Sequence, residues 1–119
     1  MITLLGSPVS TNHIYESVCR GRFPTVYLNG KGKDLKTYYH IQAKQQWKKD
    51  PITNEVDLEI KLYFKDLRKR DVDNYNKILL DSLTGIIWED DSQIKRITIE
   101  KFTDREKPRI EINAKEYGK

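Results

Sequence analysis

The alternation of Val56, Leu58, Ile60, Leu62 and Phe64 with Asp57, Glu59, Lys61 and Tyr63 constrains this chain more than any other feature. A period of two is the signature of a β-strand with one buried face, so something else in the chain must cover that face. Two helical patterns are available to do so. Tyr75, Leu79, Leu83 and Ile86, joined by Ile78, recur at helical spacing, with Asp73 as the expected N-cap and Gly85 as the stop. Upstream, a helix capped by Asp34 or Thr37 carries Leu35, Tyr38, Tyr39, Ala43 and Trp47, faces solvent with lysine and glutamine, and ends before Pro51. Ile2–Leu5 reads as a short first strand broken by Gly6, Ser7 and Pro8. Ile94–Phe102 and Arg109–Asn113 read as two more strands, joined as a hairpin by the polar segment Thr103–Pro108. The order β-α-β-α-β-β predicts an α+β fold: a mixed sheet packed with two main helices. Val9–Lys33 is expected to be mostly loop and, at that length, a substrate-contacting arm.

At 119 residues the chain is expected to form one domain, residues 1–119. No apolar run approaches the roughly 20 residues that cross a bilayer, and the N-terminus has no basic region followed by an apolar segment. Cys19 is the sole cysteine, which excludes an intramolecular disulfide and a cysteine-based zinc site and fits a reducing cytoplasm. The formal charge of +4 matters through its distribution. Lys61, Lys65, Arg68, Lys69 and Arg70 lead directly into Asp71 and Asp73, while Glu89, Asp90 and Asp91 form the sharpest negative patch.

Asp71 and Asp73 are two apart at the passage from extended chain into helix, where alternate side chains point the same way. Crowded carboxylates repel, by roughly 4 kcal/mol at about 4 Å and an effective dielectric near 20, and a divalent cation relieves that repulsion. Hard oxygen donors favour Mg²⁺, which takes one or two carboxylates and completes its shell with water and substrate phosphate, so the basic run beside the pair points to nucleic acid. Asp91, in the turn before the next strand, is expected to return beside the helix start as a third ligand. Lys77, four residues after Asp73, is expected to share its helical face and to offset negative charge at a scissile phosphate. A blander reading stays open at each position: Asp73 caps a helix, Asp90 and Asp91 solvate a turn, and Lys77 pairs with Asp73. Trp88 reads as a core aromatic, and neither His13 nor His40 belongs to a motif. Tyr15, Phe23 and Tyr27 either stack on bases or pack against the domain.

These residues resemble the RusA family of Holliday-junction resolvases. The resemblance is carried by Arg70-Asp71-Val72-Asp73-Asn74 with Lys77, by Leu80-Asp81-Ser82-Leu83-Thr84-Gly85, and by Trp88 with Asp90-Asp91. Pro8, Ser10, Asn12 and Tyr15 match an N-terminal Pro-x-Ser-x-Asn-x-x-Tyr pattern, whereas Tyr75 stands where the family has an aliphatic residue. The resemblance implies a bacterial or phage-encoded homodimer that binds four-way DNA junctions and nicks two opposed strands, leaving 5′-phosphate and 3′-hydroxyl ends. It places the catalytic aspartates on Asp71, Asp73 and Asp91, which would bind Mg²⁺ with Mn²⁺ as a substitute, and the catalytic lysine on Lys77. Arg68, Lys69, Arg70, Asn12 and Tyr15 are the expected DNA contacts. A flap or branched-DNA nuclease of lower selectivity and a non-catalytic branched nucleic-acid-binding module are the competing expectations.

Overall fold

The computed structural model describes residues 1–20 and 23–119, with side chains described outside 17–25. In chain order the elements are β1 (Ile2–Leu5), a 3-10 turn (Thr11–His13), β2 (Tyr15–Arg20), β3 (Phe23–Leu28) and α1 (Gly30–Gln46). Then follow β4 (Val56–Phe64), a 3-10 turn (Val72–Asn74), α2 (Asn76–Leu83), a 3-10 turn (Asp91–Gln93), β5 (Ile94–Thr103) and β6 (Arg109–Glu116). The main sheet has the order β1-β6-β4-β5, with β4 and β5 parallel and the other neighbours antiparallel. The expected α+β fold, a mixed sheet covered by two helices, is therefore observed.

The even-numbered residues of β4 are all buried, and they form one core with Ile2, Leu4, Ile110 and Ile112 from the flanking strands. The helices cover this face through Tyr39 and Ala43 of α1 and Ile78, Leu79 and Leu83 of α2, with Trp88 wholly buried beside them. Leu79 has no exposed surface and lies at the centre of α2. Leu79→Ala should cost about 2–5 kcal/mol of stability, measured by urea unfolding.

Four local expectations are corrected. The segment 103–108 does not close a hairpin, because β4 lies between β5 and β6 and pairs with both, so the connection crosses over the central strand. Residues 9–33 are not mostly loop: β2 and β3 pair antiparallel as a hairpin, with Tyr15 opposite Leu28, in a two-stranded sheet of their own. The proline and glycines there masked the strand pattern. The first helix is capped by Asn29, whose side chain accepts from the Gly32 N–H at 2.9 Å, so neither Asp34 nor Thr37 caps it. The glycine content at 30–32 concealed that start, and a Cβ on Gly32 would come within 2.4 Å of the Leu28 side chain. Asp73 does not cap α2: that position belongs to Tyr75, whose buried ring meets Phe64 edge-on with centroids 5.2 Å apart. Burial of an aromatic ring thus sets the start of α2. Gly85, at φ 89°, stops it as expected, in a left-handed conformation that glycine adopts without strain.

Candidate active site

After β4 the chain enters a basic loop that is pinned from several sides. The Arg70 guanidinium lies 4.3 Å from the Phe64 ring and pairs with Asp66 at 2.8 Å. The Lys101 ammonium donates to the Arg70 carbonyl at 2.9 Å. The Arg68 backbone N–H, followed by the Arg70 side chain, holds the Asp66 carboxyl below its usual range. Arg70 is therefore largely engaged in shaping the loop, with its side chain 19% exposed, whereas the Arg68 side chain is 82% exposed and Lys69 points to solvent as well.

This anchoring presents the two aspartates. Asp71 is extended at φ −93°, ψ 123°, and Asp73 lies in the 3-10 turn that follows. The turn closes through the Asn74 N–H to the Asp71 carbonyl at 3.2 Å, and the Thr11 hydroxyl donates to the Asn74 carbonyl at 2.6 Å. Both aspartates are exposed, and among the described residues neither carboxylate enters a hydrogen bond or an ion pair. In donor type the pair fits a hydrated Mg²⁺, which needs one or two hard, unengaged carboxylates.

Lys77 stands on the first turn of α2, but its partner is not Asp73. Its ammonium is 3.9 Å from Asp81, one helical turn onward, and 4.8 Å from the centre of the Tyr15 ring. The Tyr15 hydroxyl donates to the same Asp81 carboxylate. Burial, followed by that hydrogen bond and the Asp81 charge, pushes the Tyr15 phenol well above its ordinary pKa, so it remains a proton donor. Tyr15 thus supports Lys77 and has no free hydroxyl. Sequence reading named Asp81 only within the family motif and missed its pairing with Lys77, although i,i+4 spacing points to it as directly as to Asp73. It also missed Thr11, for which no local signal exists.

Asp91 lies elsewhere. It opens the 3-10 turn before β5, where its Oδ1 accepts from the Trp88 indole N–H at 2.9 Å and from the Thr84 hydroxyl. Asp90 and Gln93 form a reciprocal capping box around this turn. Asp90 is a structural cap of this turn, a role the sequence reading did not give it, and its carboxyl is held low by the Ser92 hydroxyl and backbone N–H. Thr84 is at the C-terminal end of α2, while Asp73 precedes its N-terminus. Eight residues at 1.5 Å each separate those ends by about 12 Å. The sheet agrees: Asp91 precedes the Val56–Ile94 end of the parallel β4–β5 pair, and the aspartate turn lies beyond the Phe64–Thr103 end. Asp91 therefore does not return beside the helix start, and three carboxylates do not converge within one chain. Among the described residues no group of three or more His, Cys, Asp and Glu side chains is placed to hold a metal ion. The expectation failed because it treated 85–91 as a return loop, whereas Thr84 and Trp88 anchor the segment at the far end of α2.

Of the remaining candidates, Asn12 is exposed on the turn that docks against Asn74, which places the N-terminal segment beside the aspartates. Tyr27 is 45% exposed. The Phe23 side chain lies outside the described residues.

Comparison with known proteins matches the chain to a family. A family model described as endodeoxyribonuclease RusA aligns with residues 6–115. The crossover junction endodeoxyribonuclease RusA of Shigella sonnei is 29% identical over 93 residues, covering 66% of this chain and 78% of that protein. The uncharacterized protein YqaN of Bacillus subtilis is 28% identical over 139 aligned positions, covering 98% of this chain and 95% of its own length. With nearly its whole length matched by the model, and with the Asp-x-Asp turn, Lys77 and Asp91 inside that match, the chain belongs to the RusA endodeoxyribonuclease family.

Proposed function

We propose that the protein is a Mg²⁺-dependent endonuclease that resolves four-way DNA junctions by paired nicks, working as a homodimer in recombination and repair. The observation that carries this reading is the exposed, unengaged Asp71–Asp73 pair, held on a pinned turn between the basic loop and Lys77. A stabilising role would give these carboxylates partners. Left unpaired beside Arg68 and Lys69, they suit a site completed by a cation and a phosphate.

Asp71 and Asp73 would hold the cation, with Mn²⁺ as a substitute; when bound, it activates water for in-line attack and stabilises the leaving oxygen. The chain's own groups do the rest. Arg68 and Lys69 draw the DNA backbone onto the loop, where each phosphate contact releases counterions. Lys77, held by Asp81 and Tyr15, offers a fixed ammonium for charge developing on the phosphate. Asp91 is too far along its own chain to share that site, so it reaches the Asp71–Asp73 pair of a second subunit. Two-fold pairing then gives two sites, each built from both chains, which suits the approximate two-fold symmetry of a four-way junction.

Purified protein incubated with Mg²⁺ and matched four-way, three-way, flap and linear DNAs tests the reading. Symmetric nicks confined to the four-way substrate support it; equal cutting of flaps indicates a broader branched-DNA nuclease, and binding without cutting indicates a non-catalytic module. Within this reading, Lys77→Met should lower the cleavage rate at saturating DNA at least tenfold with little change in affinity. Lys69→Ala should weaken binding and reduce the slope of log affinity against log salt by about 0.9. Single-turnover kinetics and a salt titration separate the two.

A further inference from the structure

Lysines distant in sequence gather around Trp47, at the end of the domain away from the aspartate turn. Helix α1 finishes there: the Trp47 backbone N–H reaches the Ala43 carbonyl at 2.8 Å, and its indole N–H donates to the Asp50 carbonyl at 3.3 Å. The indole packs against the core and keeps part of its surface open. Two clefts share residues Trp47, Lys49, Asp50 and Pro51 as a wall. Lys44 and Lys48 line one, of about 360 Å³, and Lys115 and Lys119 line the other, of about 520 Å³. Both are far larger than a single ion needs. The Lys49 ammonium lies 5.5 Å from the centre of the indole ring.

Helix polarity accounts for only part of this cluster. A cation in the last turn of α1 or just past it complements the carbonyl end of the helix, which covers Lys44, Lys48 and Lys49. It does not cover Lys115 of β6 or Lys119 just beyond that strand. Among the described residues Lys44, Lys48, Lys49 and Lys115 enter no ion pair. The Glu116 carboxylate is already taken up by Lys119 at 2.7 Å and by the Asn54 side chain at 3.3 Å. That leaves Asp50 alone against four uncommitted ammonium groups. A partner carrying repeated negative charge relieves their mutual repulsion, and a half-open indole among them suits one that also carries flat, apolar faces.

We infer that the paired clefts at Trp47 are a second DNA site, which holds a duplex arm of the substrate by its phosphates at a distance from the scissile bond. The inference rests on the reading of the substrate as branched DNA and adds a contact to it. Glu116 lies opposite Val56 at the start of β4, whereas Asp71 follows the far end of that strand. The nine residues of β4 put about 26 Å between those ends. A phosphate at the aspartates therefore cannot also touch the clefts of the same chain, and the arm must meet them further along. Lysines on flexible stems reach phosphate and no base edge, so this contact is blind to sequence and fixes orientation. The site is tied to the Asp91 turn: the Gln93 side chain donates to the Ile52 and Asn54 carbonyls at 2.7 and 2.9 Å, and the Ile52 N–H donates to the Ile87 carbonyl at 2.7 Å. An arm seated on Trp47 is thus held in fixed relation to Asp91.

Binding of a labelled, long-armed four-way junction in Ca²⁺, followed by fluorescence anisotropy across a salt series, tests the site. Replacing Lys48 and Lys49 together by alanine should weaken affinity about tenfold and make the slope of log affinity against log salt shallower by about 1.8, two phosphate contacts at about 0.9 each. Lys61→Ala, on the uncovered face of the sheet and 3.7 Å from Glu59, should leave the slope unchanged and controls for net charge. Trp88 is wholly buried, so quenching of tryptophan emission by the junction should come from Trp47 and vanish in Trp47→Phe; quenching that persists there overturns the ring's part in the contact. An unchanged slope in the double variant, in a protein that cuts four-way DNA, overturns this site and leaves the resolvase reading standing. A wild-type protein that cuts no branched DNA, yet loses slope in the double variant, overturns the resolvase reading and keeps the site.

Discussion

Two inactive variants, Asp73→Asn and Asp91→Asn, should recover nicking when refolded together. The expectation follows from where the carboxylates lie. If each site takes Asp71 and Asp73 from one chain and Asp91 from the other, a mixed dimer contains one site with both lesions and one with none. Half of the dimers formed from equal amounts of the two variants are mixed, so nicking of a cruciform plasmid should return to about a quarter of the wild-type rate per subunit. The product should be open circles, because a single intact site cannot make the second cut, whereas wild type should linearise the plasmid. A site contained within one chain predicts the opposite: every mixed dimer carries one lesion per site and nothing is recovered. Joining the two variants in one polypeptide removes the statistical dilution and makes the comparison decisive. Continued inactivity of that fusion, with its junction binding intact, would show that Asp91 does not complete the partner's site.

How much of this was legible beforehand depends on the range of the interaction involved. The β4 strand was plain because alternation is local and the core rewards it at five consecutive inward positions. The helix over Asn76–Leu83 and its glycine stop were plain for the same reason. The hairpin of β2 and β3 was hidden because its pairing is not announced by any alternation and its sequence contains Pro24 and Gly21. Asp71, Asp73, Lys77 and Asp91 were all named from the sequence, but their grouping was not recoverable from spacing alone. A short connection between α2 and β5 suggests a return to the helix start. The burial of Trp88 and its indole bond to Asp91 instead fix the segment at the other end. Lys77 shows the same limit on a smaller scale, since a lysine has neighbours both four residues before and four after, and only the coordinates of Tyr15 decide between them.

Asp71→Asn and Asp73→Asn should each lower junction cleavage by at least about 100-fold in Mg²⁺ while leaving junction affinity unchanged or slightly higher. The two effects separate because the aspartates and the DNA contacts are different groups on one pinned loop. An amide in place of either carboxylate removes a charged oxygen donor that a hard cation needs. It also removes a negative charge from beside Arg68 and Lys69, which eases the approach of phosphate. The fold should be indifferent: both side chains are exposed and neither makes a capping hydrogen bond, so the midpoint of urea unfolding should move little. That contrasts with the loss expected on truncating Leu79, and the comparison guards against reading an unfolded protein as an inactive one. Gel-shift titration in Ca²⁺ and single-turnover cleavage in Mg²⁺ measure the two quantities on the same labelled junction. If Asp73→Asn cut at a rate near wild type, the pair would not be the cation site, and the role proposed for the whole 71–77 segment would fall with it.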